Sequence, residues 1–166
     1  IYYRYMAFQT TWYMSEIPDG VVELIEKDLA EDSSIPDTHW LGGFVWHYIK
    51  RANRENFMYD LSHLESASVK FKKYDEGDSC KWHVDAEPTL GDEDVRKLSF
   101  TIQLSDLDDY EGGNVQFLDE AGRKYYMPRK RGTVALFDSR TMHRVQKITK
   151  GTRKALVGWC VGPQWN

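Results

Sequence analysis

Apolar residues recur at helical spacing in two segments of the N-terminal half. The first segment follows a helix-entry sequence at Ser15–Asp19 and contains Val22, Leu24, Ile25 and Leu29. This spacing predicts a helix from about Asp19 to Ala30. After a loop that contains Pro36 and the Gly42-Gly43 pair, a second helix is predicted over His47–Leu61, from Ile49, Asn53, Phe57 and Leu61 at intervals of four. Both helices are expected to support a sheet.

From Ser66 onward the pattern changes to short alternating or β-branched runs separated by turn residues, which is typical of an all-β sandwich or barrel. Strands are predicted near residues 67–74, 81–85, 97–104, 114–118, 123–127, 133–138, 142–147 and 153–161. Strands in this number with two supporting N-terminal helices predict a mainly β fold, a double-stranded β-helix or jelly roll. We expect one domain over residues 1–166, with helical support at about 1–65 and the jelly-roll core at about 66–162.

Composition narrows the class of protein and its partners. Hydrophobic residues make up 41% of the chain, enough for a packed core, and the formal net charge of -4 supplies no general attraction for phosphate backbones. Nucleic acid is therefore an unlikely partner. Two cysteines allow no disulfide framework, which favours a cytoplasmic location, and no apolar stretch is long enough to predict a membrane partner.

The sequence His83-Val84-Asp85 places two metal-ligand types at i and i+2, so on a strand both side chains project from one face. His143, between two late predicted strands, is the candidate third ligand. Two histidines and one carboxylate form a facial triad that leaves coordination positions open for other ligands. A lone His-x-Asp is weak evidence, since it is usually a solvated turn or a strand-end hydrogen bond. The other histidines are interpreted as structural: His39, His47 and His63.

The last predicted strand, which comes after the third candidate ligand in the sequence, begins with an arginine. Arg153 shares one strand face with Ala155, Val157 and Trp159, and its planar fork suits bidentate contact with a carboxylate. Lys154 points the other way and is the fallback for this carboxylate contact.

Several further segments agree with these residues in order and spacing: Tyr74–Gly77, Trp82–Asp85, Arg96–Ser99, Tyr110–Gly113, Gly132–Phe137 and His143–Trp159. On these segments the chain resembles the prolyl-hydroxylase-like branch of the Fe(II)/2-oxoglutarate oxygenases, particularly its small bacterial and phage-type members. The resemblance extends from roughly Val69 to Trp159, more than half of the chain. It implies an enzyme that uses Fe(II), 2-oxoglutarate and O2, with ascorbate as an optional reductant, and that releases succinate and CO2.

The resemblance also implies roles for individual residues. It assigns the catalytic iron to His83, Asp85 and His143, and the cosubstrate 2-oxoglutarate to Tyr74, Gln103 and Arg153. Arg96 and Trp159 match positions that border the substrate. Cys80 departs from the tyrosine that relatives acting on prolyl peptides often carry three residues before the first ligand, whereas the presence of Asp85 argues against the halogenating relatives.

The expected reaction is hydroxylation of a peptidyl prolyl residue in a peptide or protein partner. One alternative is hydroxylation of a free amino acid or another small molecule, and another is a jelly-roll metal-binding module without turnover. Nucleic-acid demethylation is disfavoured, since the related repair enzymes carry a second arginine where this chain has Trp159. The basic run at 123–131 either binds an acidic partner or forms solvated hairpin edges, and Gly112-Gly113 is interpreted as a turn or bulge.

Overall fold

A computed structural model describes residues 11–29, 33–36, 38–65, 68–86 and 93–165 of the chain. The helices in these ranges are α1 (Asp19–Asp28) and α2 (Trp40–Ala52), with a π-helical turn at Asn53–Phe57 and a short 3-10 helix at Leu107–Asp109. The strands are β1 (Trp12–Glu16), β2 (His63–Leu64), β3 (Lys70–Tyr74), β4 (Cys80–His83), β5 (Val95–Gln103), β6 (Tyr110–Gly112), β7 (Val115–Leu118), β8 (Lys124–Tyr126), β9 (Thr133–Asp138), β10 (Met142–Val145), β11 (Ile148–Gly151) and β12 (Arg153–Gly162). The predicted mainly β architecture with two helices is confirmed.

Two antiparallel sheets form the body of the fold. The larger sheet has the strand order β1-β9-β5-β12-β2, and β3 pairs with the same edge of β12 as β2. The smaller sheet has the order β4-β10-β7-β8, and β6 and β11 form a separate pair. Apolar residues of β7, β9 and β10 pack together between the two sheets, including Val115, Phe117, Phe137 and Val145. This sandwich holds the candidate site.

The central strand β5 has two chemically different faces. Leu98, Phe100 and Ile102 are buried in the main core, which also contains Ile25 of α1 and Ile49 of α2. The residues between them project toward the smaller sheet: Ser99, Thr101 and Gln103. The alternation along this strand therefore separates a structural face from a polar one.

The second predicted helix differs from the observed one at both ends. Helix α2 begins at Trp40, upstream of the predicted start at His47, and the π-helical turn ends at Phe57 before Met58 takes a left-handed φ of 55°. The Gly42-Gly43 pair, interpreted as a loop, lies inside the helix. The apolar stripe of α2 begins at Leu41, so burial against the sheet offsets the low helix propensity of glycine.

The division into helical support at about 1–65 and sheet at about 66–162 is also imprecise. Strand β1 belongs to the larger sheet, where Met14 lies opposite Ala135 of β9, and β2 pairs with β12. Strand β1 has no alternation of buried and exposed residues, since four of its five residues are half-buried, and β2 has only two residues, so neither has a period-two pattern that would predict it. Helix α1 matches the prediction up to Asp28, while Ala30 lies outside the described residues.

Candidate metal centre

The pairing of β4 with β10 brings the three predicted metal ligands together. His83 at the end of β4 lies directly opposite His143 of β10. Asp85 follows β4, and its backbone N–H donates to the carbonyl of Ser139 at 2.9 Å, which holds the carboxylate beside both imidazoles. Within the described residues, these three side chains are the group of ligand types close enough to share one ion.

The distances between the ligand atoms suit a single metal ion. Asp85 Oδ1 lies 3.2 Å from His83 Nε2 and 3.4 Å from His143 Nε2, and all three ligand atoms lie within 4.8 Å of one another. Two ligand atoms about 2.1 Å from a metal and at right angles to each other are roughly 3 Å apart. The two distances from Asp85 Oδ1 are close to this value, as ligands that share one ion require.

Backbone carbonyls orient both imidazoles for coordination. His83 Nδ1 lies 2.7 Å from the carbonyl oxygen of Lys81, and His143 Nδ1 lies 2.9 Å from that of Thr141. Because a carbonyl oxygen only accepts hydrogen bonds, each Nδ1 carries the proton and each Nε2 has a free lone pair. Burial lowers the pKa of His143, which favours the neutral form that binds metals.

The two oxygens of the Asp85 carboxylate have different contacts. Its Oδ2 accepts a hydrogen bond from Ser99 Oγ at 2.7 Å, and Ser99 Oγ lies 3.0 Å from Ser139 Oγ. Oδ1 is left facing the two histidines. Ser99 and Ser139 were not among the predicted site residues, although the polar face of β5 was the sequence signal for Ser99.

Arg153 lies at the closed end of the cavity that contains the three ligands. Its side chain is 1% exposed, and its Nε donates to Gln103 Oε1 at 3.1 Å. Its Nη2 is buried with no hydrogen-bond partner among the described residues. Burial lowers the pKa of Arg153, yet a guanidinium stays protonated in proteins. A buried, charged and unpaired donor beside a metal triad fits the distal carboxylate of 2-oxoglutarate.

Tyr74 and Gln103 take different places around this arginine. The Tyr74 ring lies 5.5 Å from Arg153 Cζ and lines the cavity, and burial raises the Tyr74 pKa, so its phenol keeps the proton that it can donate. Gln103 lies behind the arginine, where its Nε2 donates to Tyr110 Oη at 2.9 Å. No sequence signal identified Tyr110 as part of this arrangement.

The two predicted substrate residues form one stack at the other end of the cavity. Trp159 lines the cavity, and its buried Nε1 has no partner in the part of the chain that the structure describes. Arg96 Cζ lies 3.9 Å from the centre of the Trp159 ring, and Arg96 bonds both carboxylate oxygens of Glu65, at 2.7 and 3.2 Å. Arg96 therefore contacts the indole, while Glu65 holds its guanidinium.

The cavity itself encloses about 80 Å³ and also takes in Lys72 and Cys80. Cys80, which stands where prolyl-peptide relatives often have tyrosine, has its Sγ 3.6 Å from His83 Nδ1. Burial raises the pKa of the Cys80 thiol, so the group stays protonated at neutral pH.

His39 and the basic run make contacts within the protein itself. His39 Nδ1 accepts from the backbone N–H of Leu41 and caps α2. Cations of the basic run bond to carboxylates and carbonyls of the protein itself: Arg123 with Asp119, Arg129 with the Gly112 carbonyl, Lys130 with Glu16, and Arg131 with Glu26. These contacts favour the structural interpretation of residues 123–131. Gly112 and Gly113 both have positive φ, as a turn requires.

Comparisons with known proteins agree with this geometry. The sequence profile of the 2OG-Fe(II) oxygenase superfamily matches residues 69–161. A PKHD-type hydroxylase of Synechococcus sp. (strain CC9902) is 39% identical over 93 residues, 55% of this chain and 40% of that protein. One from Acinetobacter baumannii (strain ATCC 17978) is 29% identical over 165 residues, 95% of this chain and 70% of that protein. The chain thus spans about two fifths of the length of the Synechococcus relative.

Solved structures with low sequence identity share the fold. A Pseudomonas putida prolyl-4-hydroxylase is 17% identical with a TM-score of 0.69, covering 90% of this chain and 87% of that one. A viral collagen prolyl hydroxylase from Paramecium Bursaria Chlorella virus-1, solved as a 2OG complex, is 17% identical with a TM-score of 0.71, covering 93% and 97%. The predicted jelly roll is confirmed. No helix in the described ranges has the length and apolar character to cross a membrane.

Proposed function

The chain belongs to the 2OG-Fe(II) oxygenase superfamily, and on that premise we propose that residues 1–166 form one Fe(II)- and 2-oxoglutarate-dependent dioxygenase domain that hydroxylates a peptidyl prolyl residue. The observation that carries the proposal is the convergence of His83 Nε2, Asp85 Oδ1 and His143 Nε2 on one point. The unpaired Nη2 of Arg153 lies in the same cavity wall, as a dicarboxylate cosubstrate requires.

Each residue has a physical task in this proposal. The two imidazoles and Asp85 would hold Fe(II) as a facial triad. Arg153 would bind the far carboxylate of 2-oxoglutarate and Tyr74 would donate a second hydrogen bond to it, while Gln103 accepts a hydrogen bond from the guanidinium. Fe(II) with bound 2-oxoglutarate supplies the oxidising chemistry that uses O2 and releases succinate and CO2.

The walls of the cavity restrict where the reaction can occur. Phe137 packs edge-on against His143, with ring centroids 4.7 Å apart, and Val115 and Val145 also line the cavity. These apolar side chains exclude bulk water from the ligand face of His143, which strengthens the electrostatic contacts inside. Trp159 borders the open end and is positioned to contact the substrate.

The names of the relatives support a prolyl peptide as the substrate. The curated relatives are called PKHD-type hydroxylases, and a structural relative from Trichoplax adhaerens is a prolyl hydroxylase in complex with a peptide fragment of a hypoxia inducible factor degradation domain. We also propose a reducing compartment, the cytoplasm, because Cys80 and Cys160 are both free thiols.

The test measures succinate formed per hydroxylated product. Purified protein is given Fe(II), 2-oxoglutarate, O2 and ascorbate together with proline-containing peptides, free L-proline and other free amino acids. Stoichiometric hydroxyproline and succinate with a peptide would support the proposal. Coupled turnover with a free amino acid alone would replace the peptide by a small molecule, and metal binding without consumption of 2-oxoglutarate under every condition would leave a non-catalytic module.

A further inference from the structure

One wall of the metal cavity is built from two paired rows of side chains. Residues on the same face of β3 and β12 lie opposite each other, Tyr74 beside Arg153 and Lys72 beside Ala155. Since a strand rises about 3.4 Å per residue, the Lys72 backbone lies roughly 7 Å from that of Tyr74, toward the open end.

Lys72 is a charged residue of the cavity wall that the proposed reaction does not use. Among the described residues that line the cavity, Lys72 and Arg153 are the cations and Asp85 is the carboxylate. No carboxylate in the described part of the chain pairs with Lys72.

The charges of the loaded site leave Lys72 uncompensated. Fe(II) together with Asp85 retains one positive charge, and Arg153 contributes a second. The two carboxylates of 2-oxoglutarate neutralise both of these charges. The positive charge that remains at the cavity is that of Lys72.

We infer that Lys72 binds a carboxylate of the primary substrate, so that the hydroxylated molecule carries an anionic group close to the reacting carbon. This inference rests on the proposed function and specifies its substrate class. The carboxylate has two sources, an Asp or Glu side chain next to the target residue of a peptide or the α-carboxylate of a free amino acid. Lys72 is exposed, and a charge-assisted hydrogen bond from its ammonium group to a carboxylate is stronger than a neutral one.

The test compares ligands that differ only in one carboxylate. The matched pairs are Gly-Pro-Asp with Gly-Pro-Asn, both amidated at the C-terminus, and L-proline with L-prolinamide. Affinities are measured calorimetrically on protein loaded with Mn(II) and 2-oxoglutarate under anaerobic conditions, and succinate formation is measured with Fe(II) in air. The wild-type protein should prefer the carboxylate of at least one pair by about tenfold. The pair that responds identifies the source of the carboxylate.

Variants on adjacent positions of β3 connect the preference to one side chain. Lys72→Ala should reduce the carboxylate-to-amide ratio to near unity, and Lys72→Arg should retain most of it. Lys73→Ala removes the same charge from the neighbouring residue on the opposite face and should keep the wild-type ratio. A general loss of folding or metal binding would weaken both members of a pair equally. The carboxylate-to-amide ratio measured within each variant therefore reports substrate recognition alone.

Three outcomes would overturn the inference. The first is equal or undetectable binding of both members of every pair to the wild-type protein, and the second is an unchanged ratio in Lys72→Ala. The third is a Lys72→Ala variant that, with no primary substrate present, binds 2-oxoglutarate more weakly than the wild-type protein does. If the wild-type protein binds the carboxylate selectively yet consumes no 2-oxoglutarate, the proposed function fails while the assignment of Lys72 is supported.

Discussion

The two faces of the larger sheet place different demands on their side chains. On the helix face of β5, Leu98 is fully buried and packs against apolar neighbours, where any side chain of suitable volume and polarity can contribute. On the opposite face, Ser99 and Gln103 are equally buried, but each bonds a particular atom of Asp85 or Arg153. Burial alone therefore does not distinguish the structural residues of this protein from the residues of its site.

This difference separates stability from chemistry on a single strand. Substitutions on the helix face should change the free energy of unfolding and leave the site intact in the folded fraction. Substitutions on the site face should change affinity for metal or cosubstrate more than they change stability. The predictions below test that separation on both faces.

The largest effect is expected at the carboxylate ligand. Asp85→Ala removes one of three ligand atoms and leaves the Ser99 hydroxyl without its acceptor. Succinate formation should be abolished, and Fe(II) affinity should fall by more than the roughly 10–100-fold that loss of an outer hydrogen-bond partner costs. Activity and metal affinity are measured on protein whose far-UV circular dichroism is unchanged. Wild-type turnover in this variant would refute the assignment of Asp85.

A large effect of the opposite kind is expected at Phe100. Its ring covers Gly158 of the neighbouring strand so closely that a Cβ at that glycine would collide with it. Phe100→Ala should destabilise the fold by about 3–5 kcal/mol, since it removes a buried aromatic side chain and leaves a cavity. Urea unfolding measures the loss. Phe100→Leu is the matched control and should cost less than about 1.5 kcal/mol.

The apparent affinity for 2-oxoglutarate should depend on Arg153. Arg153→Ala removes the buried donor at the closed end of the cavity and should weaken cosubstrate binding about 100-fold, equivalent to roughly 2.7 kcal/mol. Anaerobic titration of 2-oxoglutarate into Fe(II)-loaded protein, followed by the visible charge-transfer absorption, measures this affinity. Arg153→Lys should recover only part of it, because a lysine lacks the planar fork.

Lys154→Ala is the control for the titration, since Lys154 has the opposite strand parity to Arg153. Equal losses in Lys154→Ala and Arg153→Ala would show that the strand as a whole, and not the guanidinium, determines cosubstrate affinity. A loss confined to Arg153→Ala would assign the distal carboxylate to this one side chain.

Alternation along long strands explains what could be predicted from the sequence. The period of two residues placed Ser99 with Gln103 and Arg153 with Trp159 on one side of the sheet, and the structure has these faces. The i, i+2 spacing likewise placed His83 and Asp85 on one side. The third ligand, His143, is a candidate from its place between two late predicted strands, but its pairing with His83 joins distant strands and leaves no local pattern.

Other features depend on tertiary contacts that leave no local pattern. Helix α2 extends through Gly42-Gly43 because its apolar stripe packs on the sheet, which outweighs the propensity of two residues. The contact of Tyr110 with Gln103 joins residues of different strands, and neither sequence position suggests it. Strand β1 is half-buried along four of its five residues, so it lacks the alternation that marks a strand in the sequence.

The smallest of these effects is expected at Ser99, and it tests the separation of the two faces most directly. Ser99→Ala deletes the hydroxyl that bonds Asp85 Oδ2 and leaves the ligand oxygen Oδ1 in place. Fe(II) affinity should fall about tenfold, the lower end of the cost of losing an outer hydrogen-bond partner. Metal affinity by chelator competition and the free energy of unfolding without metal are both measured. A large loss of metal-free stability with unchanged metal affinity would mean that this side of β5 is as structural as the other.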